Sequence, residues 1–184
     1  DLAVLVTPRR PVYSAASRRV FDIIRRRVDV MEQLSIDEAF LEPEELVDAT
    51  PDHVRAWAND LRDAIKQETG LPSSIGAGSG KQYAKIGSGL AKPDGVFVIP
   101  HDEQLDILHP LPVSQLWGVG PVTEGKLAAA GIETIGDFAA LSEKEVDISL
   151  GGVVAKQLWT LARGIDDRPV AQRAKSKQIS SEHT

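Results

Sequence analysis

The sequence predicts an α/β fold, an α+β sheet with helices packed on it, followed by a small all-α unit built around a helix-hairpin-helix. Two observations predict this. Strand-like and helix-like patterns alternate through the first hundred residues, as expected for helices laid on a sheet. After Pro100 the strand patterns vanish, and short helical stretches are separated by Gly118, Gly120, Gly131, Gly136, Gly151, Gly152 and Gly164. The boundary between the units is placed near 100–110, which gives 1–100 and 101–170, with 171–184 as a linker that carries Arg173, Lys175 and Lys177 and no apolar stripe.

Each element has its own signal. Leu2 to Val6 reads as a strand ended by Pro8. Tyr13, Ser17, Val20, Phe21, Ile24 and Val28 recur at helical spacing, so about 12–27 is an amphipathic helix with its arginines outward. Val30 to Leu34 and Ala39 to Leu41 read as two strands flanking a tight turn. Thr50-Pro51 starts the next helix, with Pro at the first helical position. Val54, Trp57, Ala58, Leu61 and Ile65 form its buried stripe, and Gly70 ends it. Ser74 to Ala77 is a short strand, Tyr83, Ile86 and Leu90 mark a helix, Lys92-Pro93-Asp94-Gly95 is a turn, and Val96 to Ile99 is a strand. Ser142 and Glu145 form a capping box.

Composition narrows the classes. The chain has 184 residues, 42% hydrophobic and 26% charged, ordinary for a globular protein. It has no apolar run long enough to span a membrane. It lacks cysteine, which excludes disulfides and thiolate sites and fits a reducing cytoplasm. The net charge of −6 is the wrong sign for a nucleic-acid binder. The charge is unevenly spread, however. Arg9, Arg10, Arg18, Arg19, Arg25, Arg26 and Arg27 face only Asp22, whereas 29–63 is acidic, and Glu42 to Asp48 reads as a solvated turn.

Four motifs carry candidate chemistry. In Ser35-Ile36-Asp37-Glu38-Ala39-Phe40-Leu41 two adjacent carboxylates interrupt an apolar, strand-like run. A buried Asp-Glu pair is costly unless a cation meets it. Mg²⁺ takes such oxygen ligands and keeps phosphates as co-ligands. The plainer alternative is a solvated hairpin tip. Gly76-Ala77-Gly78-Ser79-Gly80-Lys81 resembles a P-loop but fails it: Ile75 and Gln82 stand where that motif needs Gly and Ser or Thr. A turn that lets backbone approach a helix or a nucleic acid fits better. Lys85 and Lys92 are seven apart and share a helical face if the helix persists. Each can serve as a point charge on a polyphosphate, although the helix dipole alone would favour Lys92 at a C-terminus. In Leu116-Trp117-Gly118-Val119-Gly120-Pro121 an apolar-Gly-apolar-Gly turn joins two short helices, a geometry that offers backbone N–H groups to a phosphate without reading sequence. An ordinary αα-hairpin with glycine caps is the alternative. Trp57 and Trp159 read as core, and His53, His101, His109 and His183 show no ligand spacing.

Taken together, Ser35 to Leu41, Ser74-Ile75-Gly76, Ala84-Lys85-Ile86-Gly87-Ser88, Lys92 to Gly95 and Trp117 to Gly120 closely resemble the Y-family translesion DNA polymerases, in order and spacing and over most of the chain. The resemblance implies a palm in 1–100 and a thumb in 101–170. It implies that Asp37 and Glu38 bind two Mg²⁺ ions (Mn²⁺ as substitute) and carry the catalysis. It also implies that Lys92 contacts the nucleotide triphosphate and that Gly118, Val119 and Gly120 hold the DNA backbone, with Lys81 and Lys85 as further DNA contacts. Primer-template DNA and a dNTP are the implied partners. A sliding clamp would be engaged through a region outside this chain. The family's first palm strand with another metal-binding Asp, its fingers and its little-finger domain are expected to lie outside these residues too, so the fragment alone is expected to be inactive. Ala77 and Gly80 depart from the family's larger residues. Three rivals are a non-catalytic relative, expected to lack the carboxylates, a nucleotide cyclase, which has no use for the hairpin, and a plain DNA-binding module.

Overall fold

The computed structural model describes residues 6–171. The strand expected at 2–6, apart from Val6, and the linker expected at 171–184, apart from Ala171, lie outside the described residues. The elements alternate as predicted. Helix α1 (Arg10–Arg25) precedes an antiparallel hairpin of β1 (Met31–Gln33) and β2 (Ala39–Leu41), in which Met31 faces Leu41, Glu32 faces Phe40 and Gln33 faces Ala39. Helix α2 (Pro51–Thr69) follows. Next comes a parallel pair, β3 (Ile75–Ala77) and β4 (Val96–Val98), joined by α3 (Lys81–Leu90).

The caps follow the sequence. Thr50 Oγ1 accepts the His53 N–H at 3.3 Å, and Gly70 closes α2 at φ 74°, a left-handed conformation that Gly adopts without a Cβ clash. Phe21, Ile24 and Val28 of the α1 stripe meet Leu61 and Ile65 of α2 in one core, whereas Tyr13 at the head of that stripe is exposed. Burying each such side chain contributes roughly 1.5–3 kcal/mol.

The glycine-rich turn has a packing explanation. A Cβ on Gly76 would stand 1.9 Å from Ser88 N and 2.1 Å from Ala84 O, so β3 lies directly on the backbone of α3. Gly87 on the facing side is also close, though less so: a Cβ there would stand 3.1 Å from Gly76 Cα. Leu90, expected in the α3 stripe, is exposed. Gly87 occupies the face of α3 against β3, where a side chain would hold the strand away. The helix ends before Lys92, so Lys85 and Lys92 do not share a helical face.

Beyond residue 100 the regular elements among the described residues are helical: α4 (Gln104–Leu108), α5 (Pro121–Ala129), α6 (Ile135–Ala139), α7 (Glu143–Ser149) and α8 (Gly152–Ala162). Thr134 and Asp137 form one capping box and Ser142 and Glu145 another. The segment before the Gly118–Gly120 turn is a single 3-10 turn (Val113–Gln115) rather than a helix. Pro110 and Pro112 remove N–H groups there, and Pro112 pairs with Thr134 in an isolated antiparallel bridge. Leu127, Ile135, Phe138, Val146 and Leu158 fill a second core that includes Tyr83, Ile86 and Ile99, so packing is continuous across residue 100.

Candidate functional site

The carboxylates sit at the tip of the β1–β2 hairpin. The turn is built by Ser35, whose hydroxyl accepts N–H groups from Asp37 (3.3 Å) and Glu38 (3.2 Å) and donates to Asp37 Oδ1 (2.6 Å). Leu34 N–H returns to Glu38 O at 2.9 Å and closes the hairpin. The turn breaks the strand alternation that would otherwise send neighbouring side chains to opposite faces. Asp37 and Glu38 are both exposed. Glu38 Oε1 accepts from Lys85 Nζ at 3.0 Å, so α3 supplies a cation to the hairpin.

The donor set suits a hard divalent cation. Carboxylate oxygens reachable from solvent leave room for waters and phosphates, which Mg²⁺ retains. Two carboxylates do not enclose an ion, and no group of three His, Cys, Asp or Glu side chains able to hold a metal occurs among the described residues.

Lys81 and Lys92 are placed differently from Lys85. Lys81 is 8% exposed, ion-paired with Glu32 of β1 and 5.5 Å from the Phe40 ring centroid. This geometry does not offer Lys81 to DNA. It ties α3 to the hairpin. Lys92 is exposed in the turn after α3, and the turn is anchored by its neighbour Asp94. Arg62 Nη2 approaches Asp94 Oδ1 at 2.5 Å and Lys66 Nζ approaches Oδ2 at 3.0 Å. Arg62 Nε also donates to Ser73 O at 2.8 Å. Hydrogen bonds from Lys66 and then Arg62 hold the Asp94 carboxyl down to about 2. Its pKa is thus lowered on folding. Its stabilising effect is complete above the ordinary carboxylate range and is lost as pH falls toward 2. The urea midpoint of Asp94→Asn should lie below that of the unsubstituted protein by a constant margin from pH 7 to 5. That margin should close between about pH 4 and 2. A margin independent of pH would remove Asp94 as the anchor.

In the Gly118–Gly120 turn both glycines are exposed, whereas Val119 is half-buried against the core and donates its N–H to Leu116 O at 2.9 Å. Gly118 has φ 111°, which restricts it to Gly in practice. Gly120 differs: its φ is −97° and a Cβ there would meet nothing within 4 Å. No side chain caps α5, so the N–H groups of its first turn point outward without a side-chain acceptor. Trp117 connects this turn to the hairpin, with its ring centroid 5.3 Å from that of Phe40. Glu32, Asp94, Asp166 and Arg168 also shape the site. Of these only Asp94 lay inside a recognised motif, because the others act through partners distant in sequence.

Fold and site thus define an α/β layer with a solvent-facing carboxylate pair, continued by a helical unit with an open glycine turn. The profile of the impB/mucB/samB family matches residues 1–89, and that of the IMS family HHH motif matches 101–132. The chain belongs to this family, the Y-family of the sequence resemblance. It is 56% identical over 98% of its length to DNA polymerase IV of Corynebacterium diphtheriae, covering 40% of that protein. It is 41% identical over 99% of its length to DNA polymerase IV of Stenotrophomonas maltophilia, covering 50%. The crystal structure of DinB from Sulfolobus solfataricus superposes with a TM-score of 0.82 at 28% identity, over 91% of this chain and 49% of that one. An insertion ternary complex of Dbh DNA polymerase gives 0.83 at 28% identity, over 91% and 49%. The chain therefore spans about half the length of these relatives, or less.

Proposed function

We propose that these residues are the palm (1–100) and thumb (101–170) of a template-directed DNA polymerase of the translesion type. The carrying observation is the exposed Asp37–Glu38 pair on a turn fixed by Ser35, in a chain similar to DNA polymerase IV over nearly its whole length. The reaction is attack of a primer 3′-hydroxyl on the α-phosphate of a dNTP, with pyrophosphate leaving. Two divalent cations, Mg²⁺ or Mn²⁺ in its place, held by Asp37 and Glu38 with phosphate and water oxygens, would lower the hydroxyl pKa and neutralise the leaving group. The protein's own share is positioning and charge. Lys92 meets the triphosphate as a point charge from an anchored turn. Lys85 brings positive charge to the hairpin, where it pairs with Glu38 and stands ready for phosphate. Gly118 and Gly120 offer backbone N–H groups to the DNA strand, and Val119, whose own N–H donates to Leu116 O at 2.9 Å, holds the turn between them. The site of action is the cytoplasm, where DNA is met. We further propose that the 184 residues alone do not extend a primer, because two carboxylates hold two ions poorly.

The availability of Gly120 supports the DNA contact, since neither its dihedral nor its surroundings demand glycine. Gly120→Ala in the full-length protein should weaken primer-template binding by about 3- to 10-fold, the equivalent of one hydrogen bond. Its melting temperature should not change. Unchanged binding by fluorescence anisotropy would remove the turn from the interface.

The function is tested by supplying the full-length protein with primer-template, Mg²⁺ and single dNTPs. Extension only by the complementary nucleotide, with stoichiometric pyrophosphate, is expected. A folded protein that binds DNA but extends nothing would favour the non-catalytic relative.

A further inference from the structure

The end of α8 returns to the hairpin instead of leaving the molecule. Ile165 N–H donates to Thr160 O (3.1 Å) and Gly164 N–H to Leu161 O (3.0 Å), a Schellman closure with Gly164 at φ 81°. A Cβ on Gly164 would stand 2.4 Å from Tyr83 Oη and 2.7 Å from Leu105 Cδ2, so this backbone is pressed onto α3. Asp166 then places a carboxylate that is 2% exposed at the start of α3. Its Oδ2 accepts the Gln82 N–H at 2.7 Å, and Arg168 grips both oxygens, Nε to Oδ1 at 2.5 Å and Nη2 to Oδ2 at 2.7 Å.

Helix α3 has glycine at its own N-cap and no local side chain to satisfy its first N–H groups. Asp166 does so from 84 residues away. Burial pushes the Asp166 carboxyl up, but Arg168 and the Gln82 N–H outweigh it and hold it below the ordinary range. Burying a charge is costly, and a plain cap could have been supplied locally at position 80. The cost is matched by what the contact joins. Gln82, itself 1% exposed, accepts the Trp117 N–H at 3.0 Å and donates to Gln115 O at 3.3 Å. Arg168 lies 4.6 Å from the Trp117 ring, Trp117 meets Phe40, and Phe40 is two residues from Glu38. Beyond Arg168, Ala171 N–H reaches Glu32 Oε2 at 3.1 Å, on the strand that faces Phe40.

We infer that residues 164–171 are a strap, and that Asp166 with Arg168 is a positioning pair that fixes the Gly118–Gly120 turn relative to the Asp37–Glu38 hairpin. On the polymerase reading proposed above, on which this inference rests, the strap sets where a primer end held by the thumb meets the carboxylates. Neither residue touches substrate. Loosening the strap leaves DNA binding in place and misplaces the reacting ends.

The test uses the full-length protein carrying Asp166→Asn, which keeps an acceptor for Gln82 and loses the ion pair. Arg168→Ala, a change at a side chain 42% exposed, serves if Asp166→Asn does not fold. Primer-template Kd should stay within about twofold while the maximal incorporation rate falls by about 10- to 100-fold, as for misplaced reactants. Spin labels at Arg18→Cys and Lys144→Cys, with any other cysteine removed, should give one narrow distance that broadens in the strap variant. An unchanged distance distribution with an unchanged rate overturns the inference, as does DNA binding that falls in step with the rate. The distances report on the strap whether or not primers are extended, so failure of the polymerase reading shows separately, as no extension by the unsubstituted protein.

Discussion

Asp37→Ala in the full-length protein is expected to lower primer extension by roughly 10³-fold, about 4 kcal/mol of transition-state stabilisation, without unfolding it. The two halves of this expectation have separate physical grounds. Asp37 is exposed, and its carboxylate accepts a hydrogen bond from the Ser35 hydroxyl. With alanine in place, Ser35 still accepts the backbone N–H groups of residues 37 and 38, so the turn survives. Surface changes of this kind usually stay within about 0.5 kcal/mol of the parent stability. What is lost is an oxygen donor at the point where charge develops. Single-turnover extension and a thermal melt of the same sample separate the two. A rate within tenfold of the parent would remove Asp37 from the chemistry, whereas a collapsed melt would make it a structural residue.

The second large effect is on folding. Gly76→Ala is expected to cost at least about 3 kcal/mol, the upper range for overpacking, because its Cβ would fall 1.9 Å from Ser88 N and 2.1 Å from Ala84 O. These are backbone atoms of α3, and no rotamer change can move them away. Either β3 separates from α3 or the β3–β4 pair shifts, and both disturb the helix that carries Lys85 and the turn that carries Lys92. Gly89→Ala on the same helix is the control, since a Cβ there meets nothing within 4 Å. Helix propensity alone should make that change neutral or slightly stabilising. Equal urea midpoints for the two variants would contradict the close strand–helix contact.

Signals carried by neighbouring residues were legible in the sequence. Thr50-Pro51 and Gly70 bounded α2, Ser142 and Glu145 capped α7, and the loss of strand patterns after Pro100 matched an all-helical second half. The carboxylates were legible because Asp-Glu inside an apolar run is costly, and the hairpin that would hold them was legible from the flanking strands. Features that depend on distant partners were not. Lys81 was expected among the DNA contacts, yet it is buried against Glu32, 49 residues earlier in sequence. Lys92 looked aligned with Lys85, but α3 stops at Leu90. The segment before Gly118 was expected to be a short helix because of the apolar-Gly-apolar-Gly turn that follows it, and two prolines reduced it to one 3-10 turn. Asp166 carried no signal, because a cap supplied from 84 residues away leaves no local pattern.

The most direct test of a two-metal nucleotidyl transferase is to count ions. Mn²⁺ bound by the full-length protein with primer-template and a non-hydrolysable dNTP analogue can be titrated by electron paramagnetic resonance. Two ions per complex are predicted, with at least one lost in the Asp37→Ala, Glu38→Ala double variant. A stoichiometry that is the same with and without these two carboxylates would contradict the assignment of the hairpin as the catalytic centre.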